Sequence, residues 1–164
     1  MKFNKKQDTY MVIYDYSLRL LSRFPKTSSQ LTFKLQKKFP DADRDTISKV
    51  VLRLQELYIL DDKKYAADYA KNLLVHKNRS PFEIKNKLRS KGIASITIEK
   101  TLKRLLNEIK LEDVVYKAAQ KKLLLLSSFS DSKKRQKLYI FLYRKAFPVE
   151  IIRKVVSELA GWRV

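Results

Sequence analysis

The chain has 164 residues, close to the length of one ordinary domain, and 45% of them are hydrophobic, which is enough for a folded core. It has no cysteine, which excludes disulfides, thiolate metal ligands and cysteine nucleophiles. The 37 basic residues outnumber the 17 acidic ones, and the resulting net charge of +20 attracts polyanions.

No apolar run approaches the roughly 18 residues of a membrane-spanning helix, and the first eight residues lack the apolar stretch of a secretory signal. We therefore expect a cytoplasmic protein with no membrane contact. The excess of basic residues has two possible explanations. It either serves a polyanionic partner or reflects the lysine-rich composition that an AT-rich genome produces.

The chain is predicted to be all-α, because glycine occurs twice and proline four times while leucine, lysine and isoleucine are abundant. One short phrase occurs three times, with a leucine at 35, 88 and 142, a lysine three residues later and then an apolar residue. These leucines are 53 and 54 residues apart. A period of this size predicts one supersecondary unit used three times, here a three-helix unit, and repeats build long surfaces rather than deep pockets.

The first unit is predicted over residues 8–58. Prolines mark the ends of its first two helices, because the residue before a proline is disfavoured in the α region. Ser28 or Ser29 is expected to cap the second helix, and Asp43 or Asp45 the third. The buried face of the third helix is expected to hold Ile47, Val50, Val51, Leu54 and Leu57.

The second unit is predicted over residues 60–109, with Asp62 as the N-cap of its first helix. Residues 80–83 read Ser-Pro-Phe-Glu, which predicts a capping box with proline at the first helical position, where its missing N–H costs nothing. Gly92 stands where the residue that follows a helix often adopts a positive φ.

The third unit is predicted over residues 111–161, with a serine-rich loop at 127–132 and Gly161 as a candidate C-cap. Ala146 stands where the second unit has Gly92. If this turn is left-handed in both units, Ala146 is strained by about 1 kcal/mol.

The second unit also carries the most specific pattern in the chain. Together with flanking residues it resembles the RecX family of recombinase regulators, in the same order and spacing over roughly residues 14 to 160. The residues that carry the resemblance are Tyr16-Ser17-Leu18-Arg19-Leu20-Leu21-Ser22-Arg23, Asp61-Asp62-Lys63-Lys64-Tyr65-Ala66, Ser80-Pro81, Ile84, Leu88, Lys91-Gly92-Ile93 and Lys145-Ala146-Phe147.

The resemblance implies three tandem three-helix repeats stacked into an elongated, curved, solenoid-like domain. It implies a bacterial, non-enzymatic regulator that binds the RecA–DNA filament, inhibits RecA ATP hydrolysis, strand exchange and filament growth, and tempers recombination and the SOS response. Non-specific contact with single- or double-stranded DNA is also implied. We expect a monomer without a cofactor. The chain departs from the family pattern at Ala146, where glycine is expected, and at Phe39-Pro40, where a Lys-Gly-apolar turn is usual.

Few residues offer catalytic chemistry. His76 is the only histidine and lies in a lysine-containing segment, so it predicts neither a triad nor a metal site. Asp61 and Asp62 could form a carboxylate pair, but their position before a helix favours capping. No glycine-rich phosphate loop is present. We therefore predict no enzyme, no catalytic residue and no metal.

Basic residues recur on or beside the middle helix of every unit. In the second unit two pairs lie at i,i+4 spacing, Lys85 with Arg89 and Lys87 with Lys91, and a bound anion would relieve their repulsion. If the units stack with a regular rotation, the three clusters form one basic stripe suited to a filament groove or a phosphate backbone. Alternatively, these side chains merely solvate the outer face of each helix. The predicted basic stripe comprises Lys34, Lys37, Lys38, Lys85, Lys87, Arg89, Lys91, Lys133, Lys134, Arg135, Lys137, Arg144 and Lys145.

An alternative function is a nucleic-acid-binding helical module without a recombinase target. It would need polar base-reading residues at the start of a recognition helix, for which Thr97 and Thr101 are weak candidates. Tyr143 is expected to be exposed and could stack on a base.

Overall fold

The computed structural model describes residues 5–159, with side chains from Asp8 onwards, and this part of the chain contains no strand. The predicted C-cap at Gly161 and the predicted end of the third unit lie outside the described residues. Within them, a π-helical turn, Asn72–His76, continues the fourth of nine α-helices. The helices are α1 (Lys5–Arg23), α2 (Ser28–Lys38), α3 (Arg44–Glu56), α4 (Asp62–Lys71), α5 (Pro81–Ser90), α6 (Ser95–Glu108), α7 (Leu111–Leu124), α8 (Asp131–Arg144) and α9 (Val149–Leu159).

The closest helix packing lies inside successive groups of three, which we call unit 1 (α1–α3), unit 2 (α4–α6) and unit 3 (α7–α9). In each unit the third helix packs against both others. Its anchor is an isoleucine at a repeating position, Ile47, Ile98 or Ile152, and each is at most 1% exposed. The leucines of the repeated phrase are fully buried as well, so the period read from the sequence is a period of core positions.

The buried residues form two apolar clusters rather than three. One is confined to unit 1 and the linker that follows it, from Ile13 to Leu60. The other runs from Ala66 in α4 to Val156 in α9, so units 2 and 3 share one continuous core. Since burial of apolar surface is the main favourable term in folding, units 2 and 3 are held together mainly by that core.

Thr27 caps α2, and the prediction of Ser28 or Ser29 was wrong by one position. The Thr27 hydroxyl accepts a hydrogen bond from the Gln30 amide at 3.1 Å, and the Gln30 side-chain oxygen accepts one from the Thr27 amide at 3.2 Å. This reciprocal pair is a capping box of the Thr-x-x-Gln type. The predicted capping box of α5 is confirmed, with Ser80 as its N-cap.

Asp61, not Asp62, caps α4, because its carboxylate accepts from the amides of Lys63 and Lys64 at 2.8 and 3.0 Å. The Asp62 carboxylate turns instead to unit 1, where it accepts from the Ser28 amide at 2.8 Å. Asp62, which the sequence predicted as the N-cap of α4, is therefore part of the contact between units 1 and 2.

The contact between units 1 and 2 centres on the turn after α5. The Thr27 hydroxyl, besides capping α2, donates a 2.6 Å hydrogen bond to the Lys91 carbonyl. Gly92 follows with φ of +77°, which confirms the predicted left-handed conformation, and its Cα lies directly against Ser29. The turn thus packs on the capped start of α2, and only glycine fits there without strain.

The corresponding turn after α8 adopts the same conformation without a glycine. Ala146 has φ of +56°, so the predicted left-handed strain is present. Phe147 enters the shared core at 3% exposure. In unit 1 the turn differs, since Phe39 has φ of −125° and its ring packs edge-on against Tyr16 at 5.4 Å between centroids.

Replacing Gly92 by alanine should destabilise the protein by at least about 2 kcal/mol, because strain of the left-handed backbone adds to overpacking. The new Cβ would overlap the side chain of Ser29. Urea unfolding followed by circular dichroism measures this loss. Adding Ser29→Gly should recover the steric part but not the backbone part. Wild-type stability in Gly92→Ala would show that the two units do not meet at this turn in solution.

Replacing Ala146 by glycine should have the opposite effect and stabilise the protein by about 0.5–1 kcal/mol, because glycine adopts positive φ without a Cβ penalty. Ala67→Gly, inside α4, is the matched control and should cost about 1 kcal/mol. Thermal unfolding of both variants provides the comparison. A loss of stability in Ala146→Gly would contradict the left-handed turn.

Candidate partner-binding surface

The structure offers a binding surface rather than a metal centre. Among residues 8–159, no group of three or more histidine, cysteine, aspartate or glutamate side chains could hold a metal ion. His76 is exposed at the end of the π-helical turn. In the described part of the chain, no helix is both long and apolar enough to cross a bilayer.

The three predicted stripe residues of unit 1 lie exposed along α2. Lys34, Lys37 and Lys38 form no ion pair with any described carboxylate. The last two also lie in the final turn of the helix, where positive charge is favoured by the helix dipole. These cations are therefore solvated and accessible to a partner.

The four stripe residues of unit 2 do not act as one group. The Lys85 ammonium faces α6, 3.9 Å from the Glu99 carboxylate. The Lys91 ammonium faces α4, where it lies 4.8 Å from the centroid of the Tyr69 ring. Lys87 and Arg89 are exposed and form no ion pair among the described residues. The i,i+4 spacing shows which of these charges are neighbours along the sequence. It does not show that Lys85 already faces a carboxylate and Lys91 an aromatic ring.

Among the stripe residues near the start of α8, Lys134 pairs with Asp131 at 3.2 Å and the Lys137 ammonium lies 4.6 Å from the Phe129 ring centroid. Lys133 and Arg135 are exposed. Arg144 is exposed at the other end of the helix.

Lys145 is half-buried at the junction of units 2 and 3, with its ammonium 5.3 Å from the Phe141 ring centroid. Burial lowers the pKa of Lys145 below its ordinary value; the charge of Glu83 opposes this shift and that of Arg79 adds to it. Because burial prevails over the favourable carboxylate, the ammonium is only partly compensated in its present surroundings.

The three candidates for contact with a base differ in how accessible they are. Thr101, a weak candidate, is 9% exposed and occupies the core position that Val50 holds in unit 1, so it is not accessible to a base. Thr97, the other weak candidate, is half-buried near the start of α6. Tyr143 is 60% exposed, as predicted, and stacks on Tyr139 with a centroid separation of 6.4 Å and an interplanar angle of 10°. Sequence analysis overlooked Lys122, at the end of α7, whose ammonium lies 5.4 Å from the Phe141 ring. The sequence pattern that could have indicated this residue is the pair Lys121-Lys122 next to four leucines.

Similar proteins match almost the whole chain, while two family profiles match parts of units 2 and 3. A sequence profile described as the third three-helix domain of RecX matches residues 111–156, and one described as its first three-helix domain matches residues 66–105. The chain is 31% identical to regulatory protein RecX of Chlorobaculum tepidum, over 90% of this chain and 88% of that protein. It is 32% identical to regulatory protein RecX of Clostridium botulinum, over 100% of this chain and 76% of that protein.

Among solved structures, the crystal structure of RecX from Lactobacillus salivarius superposes with a TM-score of 0.82 at 27% sequence identity. The superposition covers 95% of this chain and 99% of that one. The similarity therefore includes the arrangement of the three units and is not limited to a single repeat.

Two lysines, Lys145 of the basic stripe and Lys49 on α3, should titrate in a defined order. Lys145 should lose its proton below the ordinary lysine pKa of 10.5. Lys49, whose ammonium donates a hydrogen bond to the Asp45 carboxylate, should lose its proton above that pKa. NMR of protein labelled with ¹³C at lysine Cε measures both pKa values, with Lys145→Arg and Lys49→Arg to assign the signals. A pKa of Lys145 equal to or above that of Lys49 would contradict the burial of Lys145.

The effects on folding have opposite signs. The unfolded chain holds the Lys145 proton more tightly than the folded chain, so this lysine opposes folding at neutral pH, and the penalty fades as pH rises through its lowered pKa towards 10.5. Lys49 instead contributes stability that is present below 10.5 and is lost as pH rises through its raised pKa.

Proposed function

Because the chain belongs to the RecX family of regulatory proteins, we propose that it binds the RecA–DNA filament and inhibits RecA ATP hydrolysis, strand exchange and filament growth. By doing so it tempers recombination and the SOS response in the cytoplasm. The observation that carries the proposal is the match to regulatory proteins over nearly the full chain. The accessible cations beside the middle helix of all three units support a polyanionic partner surface.

The mechanism we propose is occupancy. A monomer lies along the filament, contacts neighbouring RecA subunits, and opposes the movements that accompany their ATP cycle. Cations from successive units spread the contact over a long surface, which is what a repeat protein offers in place of a pocket. Among the thirteen residues of the basic stripe, the best candidates for direct contact are exposed and form no ion pair or ring contact within the described part of the chain: Lys34, Lys37, Lys38, Lys87, Arg89, Lys133 and Arg144.

DNA contributes to the proposed binding through non-specific contacts with phosphates. Such contacts weaken steeply with salt, because each neutralised phosphate releases counterions. The alternative, a nucleic-acid-binding module without a recombinase target, loses one of its two weak base-reading candidates, since Thr101 is a core residue. The role is regulatory and requires no catalytic residue or cofactor of its own.

The test is the rate of ATP hydrolysis by RecA on single-stranded DNA, with and without this protein, at low and near-physiological salt. We expect slower hydrolysis at substoichiometric amounts of this protein, under salt conditions that release it from bare DNA. A rate unchanged at both salt concentrations would reject the proposal. Strong binding to bare DNA with no effect on RecA would favour the nucleic-acid-binding alternative.

Charge reversal at Lys87 and Arg89 together should raise the concentration needed for half-inhibition by at least about tenfold, because two accessible cations become repulsive towards a polyanion. The matched control is Lys100→Glu with Lys103→Glu, two exposed cations on α6 of the same unit and outside the basic stripe. It should change the concentration for half-inhibition much less. Equal losses in both double variants would show that net charge, and not the basic stripe, directs binding.

A further inference from the structure

A groove of about 400 Å³ lies between the end of α7 and the outer face of α8. Its floor is apolar and consists of Leu126, Ile140 and Phe141. Four cations line it as well, Lys122 from α7 and Lys137, Arg144 and Lys145 at the other side. No aspartate or glutamate is among the lining residues, so the groove combines an apolar floor with a rim of a single charge sign.

The four rim cations lack carboxylate partners within the described residues. The ammonium groups of Lys122 and Lys145 lie over the Phe141 ring, at 5.4 and 5.3 Å from its centroid. The carboxylate of Glu83, the acidic group that acts on Lys145, is already paired with Arg79 at 3.1 Å. The groove is therefore lined by charge of a single sign, and an incoming anion would meet four cations and no carboxylate among its lining residues.

The floor adds a second requirement for the ligand. Ile140 lines the groove together with these cations and is 42% exposed. Its apolar surface does not contribute to binding an anion, so it is available to an apolar group of the ligand. A bound apolar group would remove this surface from water, which favours binding. The ligand that fits both features carries negative charges together with an apolar side chain.

We propose that this α7–α8 groove binds an acidic peptide segment of a protein partner, with carboxylates on the rim cations and an apolar side chain on Ile140 and Phe141. Charge complementarity sets the orientation of such a segment and the apolar anchor supplies much of its affinity. The inference does not require that the partner be RecA, and it can hold or fail separately from the filament-binding proposal.

Single-stranded nucleic acid fits the groove less well. Base binding of this type needs an accessible aromatic face. Phe141 is half-buried and its ring already contacts two ammonium groups. Tyr143, the exposed tyrosine of α8, is absent from the groove lining and stacks with Tyr139 instead.

The test uses three fluorescein-labelled probes and fluorescence anisotropy at near-physiological salt, without RecA. The first is a short peptide of aspartate and glutamate interrupted by leucine and phenylalanine. The second has serine at the apolar positions, and the third is an oligothymidylate of similar net charge. We expect the first peptide to bind at least about tenfold more tightly than the second, since only it occupies the floor.

Lys137→Gln with Arg144→Gln should weaken binding of the first peptide by about tenfold. The control, Lys103→Gln with Lys154→Gln, removes the same charge from exposed sites outside the groove and should change it by less than about twofold. Ile140→Ser should remove the advantage of the first peptide over the second. Ile140 is partly exposed and should tolerate the change. If circular dichroism shows lost helicity, the double variant still decides the question.

Equal weakening by the groove and control double variants, or equal affinity for both peptides, would show non-specific attraction by the net charge and overturn the inference. Oligothymidylate binding that depends on Lys137 and Arg144, while peptide binding does not, would overturn it in favour of a nucleic-acid site.

Discussion

The structure depends most on one contact between units 1 and 2. In it, the left-handed turn that follows α5 packs on the capped start of α2. At Thr27 a single hydroxyl accepts from the amide of Gln30 and donates to the Lys91 carbonyl, so it serves helix initiation and unit joining together. Gly92 allows the close approach because it has no Cβ. The cap of α2 and the position of unit 2 relative to unit 1 therefore depend on the same hydroxyl, and a substitution at Thr27 would affect both.

Much of the fold could be predicted because its signals are local. Prolines, the Ser80 capping box and the period of buried leucines indicated the helices and their order. The position of Gly92 after a helix indicated a left-handed residue, and the period raised the same conformation as one possibility for Ala146, which adopts it. The resemblance to the RecX family is confirmed by relatives that match nearly the whole chain. Errors appeared where neighbouring residues compete for one role. Thr27 takes the cap predicted at Ser28 or Ser29, and Asp61 takes the cap of α4 because Asp62 bonds to another unit.

The binding surface was less predictable, since the direction and partner of a lysine side chain depend on tertiary structure. Lys85 and Lys91 belong to one helix in the sequence but contact α6 and α4 respectively in the fold. The cationic groove was not visible in any single segment, because Lys122 reaches it from α7 and the other rim cations from α8 and the turn that follows. Sequence patterns therefore identified where charge concentrates, and tertiary packing determined which charges remain accessible.

The division of the core has a mechanical consequence. Bending between units 2 and 3 must separate apolar side chains along one shared core, whereas bending between units 1 and 2 strains the hydrogen bonds of Thr27 and Ser28 and the contact of Gly92 with Ser29. Thr27 is fully buried, so a motion that opens this contact must admit water to replace the hydrogen bond between its hydroxyl and the Lys91 carbonyl. The division of the core therefore predicts that the molecule bends between units 1 and 2 before it bends within α4–α9.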